Sequence, residues 1–518
     1  MTVKKQLSSI VLLVLLMSLV GCKPVVPNTN PDPDPDPDPP QPPLHSSDVF
    51  PRLQETASFA LPSGDIRWMS PEDISSDGDW LALIANDNQN ETLWIYSPAQ
   101  QQGQAIYSIP AEEVSAGRLL LLTVGWTTNN QLVFARQGTQ PDGTHKGERG
   151  LLLLTADPGS GTTKELSWVP NPQDYVKQIL LNQESDYVLA HVGNSLWQVP
   201  LSEASSKVVR TDFPRYDGLF FLRPSPNKSQ FVYQFFEPER RGIYLLDVAT
   251  GTETCLAKAG ETFSFGPLWS PDGQHIAFYT ANAKDDAPAS GRYDILAEKY
   301  DIIEGEDAPA PLASAIGVVT AAGRKITQLA VPDMKAAMFT WASDSEHLAF
   351  LGTKTTATAA QEYPGPIFDW QALYLADLSG KVTKIADIPE ETLDVVILRV
   401  QENGAYYITY SENDTALWLA QTGREPQKLE LPAEIPVFDN GCFAPLYPMP
   451  TLKDSLFIGY MSEQKNYYLH IWQDQLELLA EDNTNSFLVT TPKGQVLLSS
   501  QSEDPRHGSK LTVFSPMQ

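Results

Sequence analysis

The most chemically suggestive stretch of the chain is an aromatic segment stiffened by proline, QEYPGPIFDW, at 361–370. It carries Tyr363, Phe368 and Trp370, whose flat rings are suited to stacking on a sugar ring or anchoring a partner protein. The same rings are equally suited to packing beneath their own loop as a small apolar cluster. Both interpretations remain open from the sequence.

Basic residues form a second candidate site, because they stand out against a background of 36 Lys+Arg and 64 Asp+Glu. They occur in the short segments HKGERG, EPERRG and EDPRHG, and the arginines are Arg149, Arg240, Arg241 and Arg506. Brought together, these side chains would receive an anionic group through charge-assisted hydrogen bonds. The alternative is local pairing of each arginine with an adjacent carboxylate.

A run of carboxylates within 281–314 is the remaining candidate, for a bound cation. Its members are Asp285, Asp286, Asp301, Glu304, Glu306 and Asp307. Their spacing lacks the Asp-x-Asp-x-Asp-Gly order of a calcium loop, so a solvated acidic loop is the favoured interpretation. No Cys/His cluster is present, and we expect neither a metal nor a cofactor. Cys255 and Cys442 either pair in an oxidising compartment or remain two buried free thiols.

Catalytic motifs are missing from the sequence. It contains no GxSxG, HExxH or phosphate-binding loop, and only 7 His. We therefore predict no catalytic residue and favour a binding or scaffold protein over an enzyme. The alternative is a carbohydrate-active enzyme, a lyase or glycosidase, that uses carboxylates beside the aromatic segment in a central channel.

The elements that must position these residues are β-strands. From about residue 55 onward, short apolar runs alternate with turn residues and helical periodicity is almost absent. The phrase LWSPDGQHIAFYT at 268–280 recurs along the chain, closely at 341–352, more loosely at 74–85 and more faintly elsewhere, to a total of nine copies. Each copy sits among four strands, which predicts an all-β fold, a single β-propeller of eight or nine four-stranded antiparallel blades.

The spacing of the strands predicts how the ring closes and where its loops lie. The ninth unit has three strands, so the N-terminal segment TASFALP at 56–62 is expected to supply its fourth. Long insertions at 136–150, 281–314 and 352–371 each join the second strand of a unit to its third. Equivalent connections lie at the same end of a ring, so one face is expected to carry all three insertions and the basic segments.

The phrase WSPDG followed by an apolar strand resembles the repeat of TolB-type propellers, which is shared with the propellers of prolyl-oligopeptidase-like enzymes. The copies at 269 and 341 match best. The TolB resemblance implies a periplasmic protein that contacts envelope proteins, without indicating a specific partner. A peptidase of the second kind needs a hydrolase domain of several hundred residues, which we do not expect because none follows the ninth unit.

The N-terminal residues have the order of a secretory signal, with Lys4 and Lys5 before an apolar run from Ile10 to Val20. The run ends in LVGC at 19–22, which resembles the lipobox of bacterial lipoproteins. The resemblance implies cleavage after residue 21, a diacylglycerol on the thiol of Cys22 and an acyl chain on its amino group. Residues 22–50, rich in Pro and Asp, are expected to form an extended tether, and 51–518 the propeller domain.

Charge and anchoring together predict the surroundings of the protein. A net charge of -28 with no clustered cations makes nucleic acid an unsuitable partner. We expect a cell-envelope protein held in a membrane by its N-terminal lipid, with an envelope protein or glycan as partner. Lys23 replaces the Asp that retains many lipoproteins in the inner membrane. This favours the outer membrane in a Gram-negative host, and the outer face of the cell membrane in a Gram-positive one.

Overall fold

The structure is a computed structural model that describes most of the chain from residue 53 to residue 516. The described ranges are 53–61, 65–66, 71–87, 89–170, 176–182, 187–202, 206–211, 222–235, 240, 242–258, 262–282, 314–323, 325–355, 368–411, 414–436, 442–445, 456–461, 465–472, 474–482, 486–500 and 509–516. The predicted signal sequence, Cys22 and the predicted tether lie outside these ranges.

The described residues form nine four-stranded antiparallel sheets, numbered here as blades 1 to 9. Blades 1 to 3 comprise β2 (Asp65–Ile66), β3 (Leu81–Asn86), β4 (Asn90–Ser97) and β5 (Gln102–Pro110); β6 (Leu119–Trp126), β7 (Leu132–Thr139), β8 (Arg149–Ala156) and β9 (Thr163–Pro170); and β10 (Val176–Asn182), β11 (Tyr187–Val192), β12 (Ser195–Pro200) and β13 (Lys207–Arg210). Blades 4 to 6 comprise β14 (Arg223–Pro224), β15 (Gln230–Phe235), β16 (Gly242–Asp247) and β17 (Glu253–Lys258); β18 (Thr262–Trp269), β19 (His275–Asn282), β20 (Ala315–Thr320) and β21 (Thr327–Leu329); and β22 (Lys335–Trp341), β23 (His347–Thr355), β24 (Phe368–Asp377) and β25 (Val382–Asp387). Blades 7 to 9 comprise β26 (Asp394–Gln401), β27 (Gly404–Tyr410), β28 (Thr415–Gln421) and β29 (Gln427–Lys428); β30 (Cys442–Pro445), β31 (Phe457–Met461), β32 (Asn466–Trp472) and β33 (Gln475–Asp482); and β34 (Ser486–Thr490), β35 (Val496–Ser500), β36 (Lys510–Pro516) and β1 (Leu53–Ala60).

Helix is almost absent from the described residues. A 3-10 turn spans Pro71–Asp73 between β2 and β3, and one short helix, α1 (Ala111–Ser115), joins blade 1 to blade 2. No helix in the described ranges has the length and apolarity needed to span a membrane. The expectation of an all-β fold is confirmed.

The ninth blade takes its outer strand from the N-terminal end of the described chain. β1 pairs antiparallel with β36, with Leu53 opposite Pro516 and Ala60 opposite Lys510. The pairing is extended by a hydrogen bond of 2.6 Å from the amide of Leu61 to the carbonyl of Ser509. Because the strand from one end of the sequence completes a sheet from the other, the pairing joins the ends of the ring.

Nine apolar clusters hold the blades together, one at each junction between neighbours in the described residues. The cluster between blades 1 and 2 packs Leu93 and Ile95 against Leu119 and Trp126. The remaining clusters join each successive pair, and the one that contains Leu81 and Leu497 joins blade 9 back to blade 1. The ring therefore closes with nine blades, the higher of the two predicted numbers.

The recurring SPDG phrase is the turn between the first and second strands of a blade. In blade 5, the hydroxyl of Ser270 donates to Asp272 Oδ1 at 2.6 Å and accepts the amide of His275 at 2.9 Å. Gly273 adopts a φ of 71°, in the left-handed region that favours glycine. Asp272 and Gly273 thus turn the chain. The same serine arrangement recurs at Ser75 and Ser225.

Candidate functional site

The antiparallel order within each blade distributes the connections between two faces of the ring. First-to-second and third-to-fourth connections lie on one face, here called the turn face. Second-to-third connections, and those leading to the next blade, lie on the opposite face, here called the insertion face. The three long insertions join β7 to β8, β19 to β20 and β23 to β24, so all belong to the insertion face. The predicted register of the insertions is confirmed, with the last two on adjacent blades 5 and 6.

Several predicted site residues lie outside the described residues. They are Tyr363, Arg241, Arg506 and the six acidic residues of the 281–314 segment. Phe368 begins β24, but its side chain is not described. For these positions the sequence predictions stay predictions.

Trp370 requires a correction, because its side chain is not an exposed stacking platform. It is 4% exposed and packs in the cluster between blades 6 and 7. Its indole Nε1 donates a hydrogen bond of 3.2 Å to the carbonyl of Leu393. Leu393, whose amide donates to the carbonyl of Tyr410 at 2.7 Å, presents its side chain to solvent on the insertion face. Trp370 thus fixes the turn that carries Leu393. Its ring is buried, as the alternative interpretation expected, but it packs between two blades and not beneath its own loop.

Arg240 lies on the insertion face and is engaged in an ion-pair network. Its guanidinium donates to both oxygens of Glu253 at 2.7 and 3.0 Å and stacks on the ring of Phe235, 3.8 Å from its centroid. Arg210, from blade 3, approaches the same carboxylate at 2.5 Å, and the Tyr233 hydroxyl donates to it as well. Burial raises the pKa of Tyr233 far above its usual range, and its bond to Glu253 adds to the shift. Arg240 is therefore paired, but with Glu253 in β17 and not with the adjacent carboxylate that the sequence suggested, and the network ties blade 3 to blade 4.

The connection between β7 and β8 is organised by a buried arginine that the sequence reasoning missed. The Arg136 guanidinium donates to Gln140 Oε1 at 2.6 Å, to the Tyr107 hydroxyl at 2.5 Å and to Asp142 Oδ1 at 2.9 Å. Burial is the main cause of a raised pKa at Tyr107, and the cation beside it opposes that shift. A charged residue within the otherwise apolar run LVFAR was the available signal.

Arg149 begins β8 at the end of this connection and is partly exposed. Nearby, the imidazole of His145 stacks on the indole of Trp168 with centroids 4.5 Å apart and planes within 9°. Its Nδ1 lies 3.0 Å from Glu148 Oε2. The structure therefore places Arg149 and Arg240 on the same face but on blades 2 and 4.

The enzymatic alternative needs two carboxyl groups a few ångströms apart with perturbed pKa values. Asp394 supplies one, at the start of the innermost strand of blade 7 on the insertion face. Partial desolvation by the surrounding protein raises the pKa of its carboxyl, although the residue is exposed to solvent and the amide of Val395, at 2.8 Å, opposes the shift. Within the described residues we identify no catalytic pair, and no group of three or more His, Cys, Asp or Glu that could hold a metal.

The two cysteines are far apart in the ring. Cys255 lies in β17 of blade 4 and Cys442 in β30 of blade 8. They form no disulfide in the described part of the chain. The structure thus shows two unbridged thiols, but the expectation that both are buried is wrong, because Cys255 is exposed and Cys442 is only partly buried.

The chain has the fold of a nine-bladed β-propeller. No protein-family model matches it, and no curated protein matches it. The propeller is similar to a prolyl endopeptidase structure at 11% identity and a TM-score of 0.40, over 87% of this chain and 54% of that one. It thus spans about half the length of that enzyme.

Two further solved structures are similar to the propeller. A putative TolB from Agrobacterium tumefaciens matches at 13% identity and a TM-score of 0.27, over 57% of this chain and 87% of that one. An oligogalacturonate lyase from Vibrio parahaemolyticus matches at 10% identity and a TM-score of 0.34, over 72% of this chain and 98% of that one. At these values the likenesses carry no functional argument. The fold assignment rests on the strand pairing described above.

Proposed function

We propose that this chain is a lipid-anchored, extracytoplasmic β-propeller that presents its insertion face as a binding surface in the bacterial cell envelope. Its partner is an envelope protein or a glycan. It sits at the outer membrane, on the periplasmic side, in a Gram-negative host, and on the outer face of the cell membrane in a Gram-positive one. The net charge of -28 disfavours nucleic acid as a partner.

The observation that supports this proposal is the point at which the chain enters the ring. The connection from β35 to β36 is of the second-to-third kind, so Lys510 lies at the insertion face and Pro516 at the turn face. Leu53 pairs with Pro516, and β1 therefore begins at the turn face. Residues 1–52 join the ring there. A tether attached at that side leaves the insertion face, with its three long connections, directed away from the anchor.

The anchor is tested with Cys22→Ser, compared with Cys255→Ser as a matched control on an exposed thiol in the ring. We expect Cys22→Ser to move the protein from the membrane fraction to the soluble fraction, while Cys255→Ser stays with the membrane. Equal membrane retention of the two variants would overturn the lipid anchor. Metabolic labelling with a fatty acid gives an independent readout of the same step.

The binding face is tested by cross-linking the intact protein in its native envelope. Deletion of 356–367, with a two-residue Asn-Gly turn inserted between the paired ends of β23 and β24, is expected to leave thermal unfolding unchanged and to abolish the cross-linked complex. A control variant on the turn face, Lys381→Ala, should retain it. Retention of the complex by the deletion variant would exclude that connection as the contact. Protease and glycosidase digestion of the complex distinguishes a protein partner from a glycan.

A further inference from the structure

Met338 has a backbone conformation that is unusual for its residue type and position. Its φ is 46°, in the left-handed region that is sterically unfavourable for a residue with a Cβ. The other described residues of this kind, glycine aside, lie in turns and are polar: Gln101, Asn130, Lys228, Asp333, Ser345 and Asp474. Met338 instead lies in the middle of β22, the innermost strand of blade 6.

The fold itself imposes this conformation through a β-bulge. The pairing of β22 with β23 shifts register between Ala337 and Phe339 and leaves Met338 without an opposite residue. The hydroxyl of Tyr279, in blade 5, accepts the amide of Phe339 at 3.4 Å, and the amide of Met338 also bonds to it. The neighbouring blade thus holds the bulge in place.

Blade 5 contains the same device with a residue suited to it. Gly266 precedes Trp269 by three positions, as Met338 precedes Trp341, and its φ is 63°. Its amide donates to Gln234 Oε1 at 3.2 Å, and Gln234 is the fifth residue of its strand, as Tyr279 is of its own. Because glycine adopts this conformation without strain, the bulge alone gives no reason for methionine in blade 6.

Packing gives no reason for it either. The Met338 side chain is 39% exposed, whereas Val124 and Leu398, in the bulges of blades 2 and 7, are buried in the clusters between blades. Solvent reaches the middle of an innermost strand from the central channel of the ring. Met338 therefore presents an apolar side chain to the channel at the expense of backbone strain, a combination that is typical of functional positions.

We propose that Met338 is the contact residue of a channel site for an aromatic ring. Methionine is flexible and polarizable, and its sulfur makes favourable contacts with the edges of aromatic rings. Phe339 and Tyr279, whose rings meet edge-to-face with centroids 4.7 Å apart, form an aromatic wall beside the bulge. The site does not depend on the lipid anchor or on the long connections of the insertion face.

Nuclear magnetic resonance of protein labelled at its methionine methyl groups tests the site. The Met338 methyl is assigned from its loss in Met338→Gln. The probes are p-cresol, a short tyrosine-containing peptide and glucose. We expect a saturable upfield ring-current shift of the Met338 methyl with the first two and none with glucose. A response to p-cresol but not to the peptide indicates a small aromatic ligand. A response to both indicates an aromatic side chain of a peptide or protein. No response to either aromatic probe, or a response to glucose alone, would overturn the proposal.

Thermal unfolding of Met338→Gly gives a second, independent measurement. If the methionine is retained for a ligand, this variant unfolds at or above the wild-type midpoint, and p-cresol raises the midpoint of the wild type but not that of the variant. The matched change in blade 5, Gly266→Ala, should lower the midpoint because it introduces a Cβ at a φ of 63°, also in the left-handed region. A midpoint of Met338→Gly that falls by more than about 2 °C would mean that Met338 stabilises the ring by packing, and would contradict the proposal.

Discussion

The indole Nε1 of Trp269, in blade 5, donates a hydrogen bond of 3.0 Å to the backbone carbonyl of Arg223, in blade 4. Trp341 makes the same bond to Leu268 at 3.3 Å, and Trp126 makes it to Asp73 at 2.8 Å. In each case the tryptophan at the end of an innermost strand reaches the backbone of the preceding blade. The tryptophan of the recurring phrase therefore connects blades as well as filling the core.

Replacing Trp269 with phenylalanine removes this bond between blades and shortens the buried ring. We expect the free energy of unfolding to fall by about 1–3 kcal/mol, from the lost hydrogen bond together with the smaller ring. The measurement is urea denaturation followed by far-ultraviolet circular dichroism. Trp197→Phe, which shortens a half-buried tryptophan within blade 3, serves as the control. Equal losses in the two variants would show that ring size, and not the bond between blades, matters.

Gly273→Ala tests whether the turn of the repeat depends on glycine. A Cβ at this position would lie 3.2 Å from Cδ of Pro226 and would sit on a backbone with a φ of 71°. We expect a loss of stability of roughly 1–2 kcal/mol, measured by differential scanning calorimetry. Gly159→Ala is the control, since a Cβ there meets only Asp157 Oδ1, at 3.5 Å. If Gly273→Ala unfolds at the same temperature as the wild type, the turn tolerates a side chain and the prediction is wrong.

His470 predicts a loss of stability in acid. It lies in β32, its ring stacks on Phe457 with centroids 5.0 Å apart, and its Nε2 has no hydrogen-bond partner among the described residues. Burial lowers the pKa of His470 to about 4. Because the pKa is about 6.5 in the unfolded chain, the unfolded state takes up the proton first as the pH falls. The free energy of unfolding is therefore unaffected by the titration of this group above about pH 6.5. It falls as the pH is lowered toward 4, by on the order of 3 kcal/mol in total.

His470→Phe isolates this contribution from the titration of the many carboxylates. We expect the difference in unfolding free energy between the wild type and His470→Phe to change by that amount between pH 7 and pH 4. Chemical denaturation at half-unit pH intervals measures it. Parallel pH profiles for the two proteins would contradict the assignment of a buried neutral histidine.

The two arginines that share Glu253 are expected to differ in their contribution to stability. The side chain of Arg210 is 12% exposed and that of Arg240 is 37% exposed. Arg210→Met should therefore lower the free energy of unfolding by roughly 2 kcal/mol, and Arg240→Met by less than about 1 kcal/mol, because solvent screens the more exposed pair. Guanidinium denaturation is unsuitable because its ions screen the pair, so urea is the denaturant. A larger effect at Arg240 would reverse this ranking.

Much of the architecture followed from local patterns. Alternating apolar runs and turn residues indicated strands, and the recurrence of the SPDG phrase indicated a propeller, because each turn is made by its own serine, aspartate and glycine. The local patterns do not distinguish eight blades from nine. Short strands such as β14 and β29 have two residues each, which is too little sequence for a periodic signal, and only their pairing shows that every blade has four.

The candidate site was less predictable than the fold. The shared face of the three insertions followed from strand order alone, since strand order determines which end of the ring a connection occupies. The role of Trp370 could not be predicted from the sequence, because an aromatic residue has the same sequence signature whether it is exposed or packed between blades. Arg240 likewise shows an adjacent glutamate in sequence, whereas its partner in the structure is Glu253, across a strand pair.

The sequence by itself determined that the chain is an all-β propeller, that its repeated phrase makes turns, and that its long connections share one face. These properties depend on residues close together in the chain. The tertiary structure decided that the ring has nine blades, that Trp370 is buried, that Arg210 and Arg240 meet at one carboxylate, and that Met338 takes a glycine-like conformation facing the channel. Each of these depends on contacts between blades, whose geometry is set only when the ring closes and distant strands pack together. For Met338 the contact is the bond from its bulge to Tyr279 of blade 5, and its orientation toward the channel is part of the proposal above.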